Sequence, residues 1–307
     1  MKRSMKPYCP DPQCSAGSFY GPKPELIIRK GYFFRSSDAK KIRRFQCKAC
    51  QRCFSHASRN SCLYQKKRRI NSKLNELLCS GVSIRRSAII LKVSRSTVVR
   101  RMRFLAKEAR KEHLLWSQEY YESPLNEIQF DDLETSEHSK CKPLSVALAV
   151  DPSGRKILSF KVSQMPAKGL LSKKALKKYG YRKDLRGEGW DEMMRELKHY
   201  THKNTIFISD ENPHYPRFIK KHHPDAIHIQ TKGGRGCITG QGELKKLHFD
   251  PLFSLNHTCA MLRANLNRLF RKTWCTTKNR QGLVDHLSLF VVYFNQKLTI
   301  GAECEAS

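Results

Sequence analysis

Between residues 63 and 122 apolar side chains recur with the period of a helix. Ile70, Leu74, Leu77 and Leu78 form one stripe. "SGVS" interrupts it at Gly81, and Ser83 stands where an N-cap oxygen belongs, ahead of a second stripe of Ile84, Ala88 and Leu91. "LKVS" reads as a tight turn, and Ser94 caps a third helix carrying Val98, Met102 and Leu105. Two short helices joined by a turn, the second pointing its first residues outward, are the outline of a helix-turn-helix. Lys92 occupies the turn position that is commonly glycine, and a left-handed backbone there costs a non-glycine residue about 1–2 kcal/mol. The third stripe continues through "FLAKEARKEH" and fades at Glu122-Ser-Pro124, which puts a boundary near Ser123.

On both sides of these helices the helical period gives way to strand-like segments. Upstream, "GSFYGPKPELIIRKGYFF" alternates apolar and polar residues with Gly and Pro breaks, as short ribbon strands do. Downstream, "NEIQFDDLE" and "PLSVALAVD" are strand-like, and "GRKILSFKVSQ" starts a third strand after the turn Asp151–Gly154. "DEMMRELKHY" is helical, "NTIFISD" is a buried strand ending in Asp210, "PHYPRFIKKHH" is helical or irregular, and "AIHIQ" is a short strand. A long helical pattern runs from Ser254 to Phe270. Three meandering strands followed by strand–helix alternation predict an α/β or α+β layer of ribonuclease-H type. "KGLLSKKALKKYGYRKDLR" packs eight Lys/Arg between Lys168 and Arg186 with little periodicity, which predicts an irregular segment, mobile until DNA binds.

Charge changes the picture. The 307 residues are enough for two or three domains, and the net charge is +32. Residues 1–120 hold 29 Lys/Arg against 7 Asp/Glu, whereas residues 121–307 hold 30 against 20. So positive a head self-repels unless it meets a polyanion, and nucleic acid is the usual one, although ribosomal or membrane-surface binding gives a similar total. The outward set of the third helix, Arg95, Ser96, Thr97, Arg100 and Arg101, suits phosphates and guanine edges. The alternative is an ordinary three-helix bundle with a solvated basic face. No run of eighteen apolar residues exists and no apolar stretch follows "MKRSMK", so neither a membrane span nor a signal peptide is expected.

Twelve cysteines, mostly scattered singly, fit a reducing cytosol better than a secreted disulfide frame. Two pairs stand apart: Cys9-x4-Cys14, and Cys47-x2-Cys50 about thirty residues later. Two such knuckles can converge four thiolates on a structural Zn2+, and a unit this small needs the metal for its stability. Cys53 can replace Cys50 in the clamp. A redox CxxC pair lacks the surrounding βαβ pattern. The expected organisation is therefore multidomain: a zinc ribbon over 1–62, an all-α helix-turn-helix and connector helix over 63–122, and an α/β ribonuclease-H-like domain over 123–300. Asp131 and Asp210 stand at or near strand ends, where hard Mg2+ finds carboxylates from separate segments; strands also simply end in Asp. Gly233-Gly-Arg-Gly236 is followed by no Gly-Lys-Ser/Thr, so a triphosphate cradle is not expected.

"FDDLETSEHSKCKPLSVALAVD", "FISDENPHY" and "LNHTCAMLRANLNRLFRKTWCTTK", in that order behind a ribbon and a helix-turn-helix, resemble bacterial insertion-sequence transposases of the DDE type with a zinc-ribbon head. The resemblance covers nearly the whole chain, and "LRANLNRLFRKTW" is its most specific part. It implies a ribonuclease-H-like core that cuts and joins DNA at transposon ends with Mg2+ or Mn2+. It further implies double-stranded DNA, both transposon ends and target, as the partner of a homo-oligomer, and a cytoplasmic, nucleoid-associated location. The first catalytic acid maps to Asp131, with Asp132 where a Glu is frequent, and the second to Asp210. The third acid would be Glu, seven residues before a basic residue on the last helix. Here that position is Asn256, with Arg263 seven further on and two turns along the same face. An amide oxygen can coordinate Mg2+, but without charge, and Glu243 is the rival third ligand. Arg263 is then suited to the scissile or a neighbouring phosphate, and Arg268, Arg271 and Lys272 to DNA backbone. His257 is expected to be a bystander, since Mg2+ disfavours imidazole. Two other readings remain open: a domesticated, catalytically inactive DNA-binding regulator, and a basic nuclease that only hydrolyses.

Overall fold

The computed structural model describes residues 7–17, 21, 23–36, 39–232, 237–238, 241–245, 250–270 and 273–298. The chain divides into two compact units, 1–69 and 70–307.

The first unit is an antiparallel sheet of β1 (Ile27–Arg35), β2 (Lys40–Cys47) and β3 (Cys53–Phe54). A register shift between Arg29 and Tyr32 falls at Gly31, whose φ of +68° suits the missing Cβ. Its core holds Cys9, Cys14, Ala16, Phe45, Cys47 and Phe54. Two phenylalanine rings 5.6 Å apart are the large apolar side chains buried there among the described residues, far too little burial to hold a domain.

The second unit opens with α1 (Ile70–Cys79), α2 (Ile84–Ile90) and α3 (Arg95–Ser117). Gly81 ends α1 at φ +76°, Ser83 Oγ accepts from Arg86 N–H (3.3 Å), and Ser94 Oγ accepts from Thr97 N–H (3.2 Å), so the caps fall where the sequence places them. Lys92 has φ +50°, the left-handed turn that a glycine would adopt at no steric cost. Next come β4 (Leu125–Ser136), β5 (Pro143–Val150), β6 (Ile157–Gln164), α4 (Leu171–Tyr179), α5 (Arg186–Leu197), β7 (Thr201–Asp210), α6 (Tyr215–His222) and β8 (Ile227–Thr231). A two-stranded ribbon, β9 (Cys237–Ile238) with β10 (Gln241–Lys245), precedes α7 (Phe253–Asn265) and α8 (Arg280–Tyr293). The fold is mixed α/β.

The five-stranded sheet has the order β6-β5-β4-β7-β8. β4, β5 and β6 meander antiparallel, while β7 and β8 run parallel to β4. Each face buries its own cluster. Ile128, Phe130 and Phe207 pack on Trp190, Met193 and Met194 of α5 and Phe218 of α6. On the other face Leu133, Leu144, Val146 and Leu148 pack with Leu255 and Leu262 of α7 and Leu287 and Phe290 of α8. The second cluster runs on without a break into Leu74, Leu78, Val98 and Met102 of the first three helices. The boundary expected near Ser123 therefore lies inside one unit. α8 joins the two layers: Arg110 of α3 donates to Asp285 (3.2 Å) and Ser288 (3.1 Å), and fully buried His286 bonds the Leu78 carbonyl (2.8 Å). Burial drives the His286 pKa down to about 4, so its ring is neutral.

Two elements depart from the sequence pattern. The lysine-rich stretch expected to be irregular forms α4, closed by Gly180 at φ +73°. Ala175 is its one buried residue, and the short stripe of Leu171, Ala175 and Tyr179 is outnumbered by the lysines around it. α8 is apolar nearly all round, and a buried helix of that kind has no polar face to give its period away.

Candidate functional site

The cysteine clamp forms in the first unit. The ligand atoms of Cys9, Cys14, Cys47 and Cys50 all lie within 4.8 Å of one another and are placed to hold a metal ion. Cys9 Sγ is 3.6 Å from Cys50 Sγ, and Cys14 Sγ is 3.7 Å from Cys47 Sγ. Those separations fit the edge of a tetrahedron with metal–sulfur bonds of about 2.3 Å, which is about 3.8 Å, and are far too long for a disulfide. Two knuckles bring the thiols together: Cys9 N–H bonds the Ala16 carbonyl (3.1 Å), and Cys47 N–H bonds the Arg52 carbonyl (3.0 Å). The chain doubles back so tightly that a Cβ on Gly17 would sit 2.1 Å from the Asp11 carbonyl oxygen. Cys50, and not Cys53 on β3, lies within reach of the other three thiols and takes the fourth corner.

The acidic pair sits in the second unit on parallel neighbours, Asp131 midway along β4 and Asp210 at the end of β7. Gln129 of β4 pairs with Ile208 of β7, so Asp131 and Asp210, two residues further along each strand, stand level. Alternation turns Asp131 to the same face as Gln129 and Leu133, the face covered by α7 and α8. Gln129 ties that helix down: its Nε2 donates to the Pro251 carbonyl (2.9 Å) and its Oε1 accepts from Leu255 N–H (3.2 Å). Asp131 Oδ1 accepts from Tyr215 Oη (3.0 Å) and from Asp132 N–H (2.6 Å). Burial first, and then the charge of Asp210, push the Asp131 carboxyl up to about 7. A sheltered carboxyl whose proton affinity is raised by burial and by a neighbouring acid suits a cation in the proton's place. Asp132 points elsewhere, to Ser145 Oγ (2.5 Å) and Trp190 Nε1 (3.3 Å), and burial raises its pKa as well.

On α7, Asn256, Cys259 and Arg263 share one face by helical spacing. Cys259 locates that face: burial pushes its thiol up to about 12, Asp131 raising it further and Arg263 opposing. Asn256 is exposed, and its Nδ2 donates to Asp250 Oδ2 (2.9 Å). A carboxylate only accepts hydrogen bonds, so this contact fixes which way the amide lies and leaves Oδ1 turned from Asp250. Asp250 Oδ1 also accepts from Leu252 N–H (3.0 Å), just ahead of α7. Arg263 is half-buried. Glu243 lies on β10, with its side chain outside the described residues, as are the loop at Gly233–Gly236 and both Arg271 and Lys272. His257 has a buried Nδ1 without a hydrogen-bond partner, and burial lowers its pKa. Among the described residues no third carboxylate, histidine or cysteine joins Asp131 and Asp210 in a metal-holding group.

Of the outward set on α3, Arg95, Ser96 and Arg100 are exposed and Thr97 and Arg101 half-buried. Arg268 is largely enclosed rather than free on the surface. Its Nη1 donates to Thr277 Oγ1 (2.9 Å), and desolvation lowers its pKa. Sequence reasoning missed Gln129, Tyr215 and Asp250, the residues that hold the acidic face in place. Only Asp250 left a local signal, an acid three residues ahead of the first residue of a helix. No helix of the described residues is long and apolar enough to cross a membrane. No protein-family model matches the chain, and no curated protein matches it.

Proposed function

We propose that this chain is a DDE-type transposase, which binds transposon ends and catalyses metal-dependent strand cleavage and strand transfer. One observation carries the reading: Asp131 and Asp210 stand level on adjacent parallel strands, on the face where α7 presents Asn256 and Arg263. The order β6-β5-β4-β7-β8, with three antiparallel strands and two parallel to the central one, supports a ribonuclease-H-like core.

Asp131, Asp210 and the Oδ1 of Asn256 are the residues that would hold Mg2+ or Mn2+. Such ions, when bound, supply an acidified water or 3′-hydroxyl and stabilise the leaving oxygen. The chain's own groups do the positioning. Tyr215 and the Asp132 amide hold one oxygen of Asp131 and leave the other available. Asp250 sets the Asn256 amide, and Gln129 fixes the start of α7 against β4. Arg263 answers the charge of a phosphate lying along that face. Arg95, Ser96, Thr97, Arg100 and Arg101 read the duplex at the terminal repeats, and Zn2+ in the cysteine clamp keeps the ribbon folded.

The test is a strand-transfer assay with DNA carrying the inverted repeats that flank the gene, in Mg2+ or Mn2+. Asp210→Asn should abolish cleavage and leave end binding intact. Asn256→Ala should cripple cleavage, Asn256→Glu should keep some, and Glu243→Gln should change little. A harmless Asn256→Ala beside a dead Glu243→Gln would move the third ligand to Glu243. A second reading, a DNA-binding regulator without catalysis, is favoured by the neutral side chain at position 256. End binding with no cleavage in either metal would establish it over the first.

A further inference from the structure

Residues 1–69 hold 18 Lys/Arg against 3 Asp/Glu. Seven of those cations stand on β1 and β2, which carry no acid. Asp38, in the turn between the two strands, lies outside the described residues. The third strand reaches only the base of this hairpin: β3 pairs with Phe45 and Gln46, and Phe45 and Cys47 are the buried positions of β2. Beyond that base, among the described residues, Tyr32–Arg35 and Lys40–Arg43 pair only with each other, an arm about 13 Å long at about 3.4 Å per residue. Partners across an antiparallel pair share a face, so Tyr32 with Arg43 and Phe34 with Lys41 lie on one side of the arm, and Phe33 with Ile42 on the other. Tyr32, Phe33 and Phe34 are 46%, 40% and 67% exposed. A unit whose core holds two phenylalanines thus leaves these three rings open to solvent among cations.

We propose that this arm inserts into the major groove of double-stranded DNA, with its cations on the phosphates of both rims and its aromatic side chains toward base edges. The proposal rests on the DNA-binding part of the function above and adds a second contact, made by a separately packed unit. A major groove about 12 Å wide and about 8.5 Å deep admits a two-stranded ribbon, and the arm is long enough to reach its floor. Exposed Lys30 and Lys40 stand on opposite strands, so each rim of the groove meets a cation. An exposed Phe such as Phe34 is suited to the methyl group of thymine. Part of the arm is set in advance. Arg43 donates to the Tyr32 hydroxyl with its guanidinium 4.6 Å from the centre of that ring, and Lys41 Nζ lies 5.0 Å from the same centre. Two cations held on one ring lose less freedom when they meet phosphates. The pattern disfavours other occupants. A surface that lies on lipid gathers its apolar residues on one face, whereas Phe34 and Phe33 stand on opposite faces here. A second copy would bring the same positive charge to the contact.

The experiment uses the full chain and a fluorescent duplex of random sequence, titrated at several salt concentrations. Phe34→Ala should weaken binding about tenfold. Lys30→Ala with Lys40→Ala should flatten the dependence on salt by about 0.9 for each phosphate no longer neutralised. Both variants change exposed positions, and equal zinc content would show that the unit stays folded. Methyl green, which occupies the major groove, should erase the difference between wild type and Phe34→Ala, and netropsin, which occupies the minor groove, should leave it. The opposite response to the two dyes would overturn the groove assignment. Unchanged affinity and salt slope in both variants would overturn the arm as a DNA contact. So would variants that keep duplex affinity but lose binding to phosphatidylserine vesicles, or lose self-association in sedimentation, which would make the arm a lipid or a subunit contact. Duplex binding by the wild type that only Arg100→Ala weakens sinks the arm alone, and a wild type that binds no duplex sinks the DNA reading with it.

Discussion

Asp131→Asn is a nearly isosteric change that keeps an acceptor oxygen for Tyr215 and for the Asp132 amide, removes the charge, and turns the second oxygen into an uncharged NH2 donor. In the metal-free fold the Asp131 carboxyl is pushed from 3.8 up to about 7, by burial and then by Asp210. At about 1.4 kcal/mol per pH unit, that shift corresponds to about 4 kcal/mol at most, and water at the strand ends brings the expectation to about 2–4 kcal/mol. The sign is set by the proton. Below about pH 4 the side chain is protonated in both folded and unfolded chains, and it contributes nothing. Between about pH 4 and 7 the unfolded chain gives up the proton while the folded one keeps it, so wild-type stability falls as pH rises. Above about pH 7 the whole penalty is present. Urea unfolding of both proteins without added divalent metal should therefore show equal stability near pH 4 and a growing advantage for Asp131→Asn up to pH 8. Millimolar Mg2+ should then raise the stability of the wild type at pH 8 and not that of the variant, because only the former offers two carboxylates to the ion. A stability difference that stays constant with pH would refute the reasoning about the acidic pair, whatever reaction the chain performs.

Further expectations concern the clamp and the helices. Purified protein should contain about one zinc per chain, and Cys47→Ser should lose it and loosen residues 1–69 without unfolding the second unit; elemental analysis with limited proteolysis decides this, and a metal-free wild type with an intact first unit would count against it. Lys92→Gly should stabilise the second unit by roughly 0.5–1 kcal/mol, the relief of the left-handed turn less the extra freedom of the unfolded chain, measurable by thermal unfolding. Arg100→Ala should narrow the preference for end DNA over random DNA by about 1–3 kcal/mol, whereas Lys173→Ala with Lys177→Ala on α4 should weaken all DNA alike, as competition binding would show.

The helices and their caps were legible because capping is local chemistry. Ser83, Ser94 and Gly81 each act within three residues of their own position, and Lys92 took the left-handed turn its place in the motif required. The knuckles were legible for the same reason, down to the ambiguity between Cys50 and Cys53, which only the packing of the loop decides. Strands β4 to β8 formed where strand-like runs stand in the sequence, β5 as an almost wholly buried run. What the chain did not disclose locally is long-range. Gln129 reaches residues 122 and 126 positions away, and Tyr215 reaches Asp131 across 84. Nothing in the neighbourhood of either residue in sequence marks those contacts. α4 and α8 escaped for opposite reasons, one having almost nothing to bury and the other almost nothing to expose.

The continuous core under α1, α2, α3 and the sheet has a consequence for how this chain can change. Where recognition and chemistry sit on separately folded pieces, a recombination event can trade one without disturbing the other. Here a crossover near residue 123 would cut through Leu74, Val98, Met102 and the side chains of α8 that complete their packing, and both products would inherit half a core. The fold leaves one seam at residues 69–70, so the ribbon is the exchangeable piece. Under the proposed function, new specificity in the helices would arise by substitution in place, at exposed positions such as Arg95, Ser96 and Arg100, while the helix backs stay matched to α8. A lineage built this way would diversify its head by swapping and its helical layer only by drift.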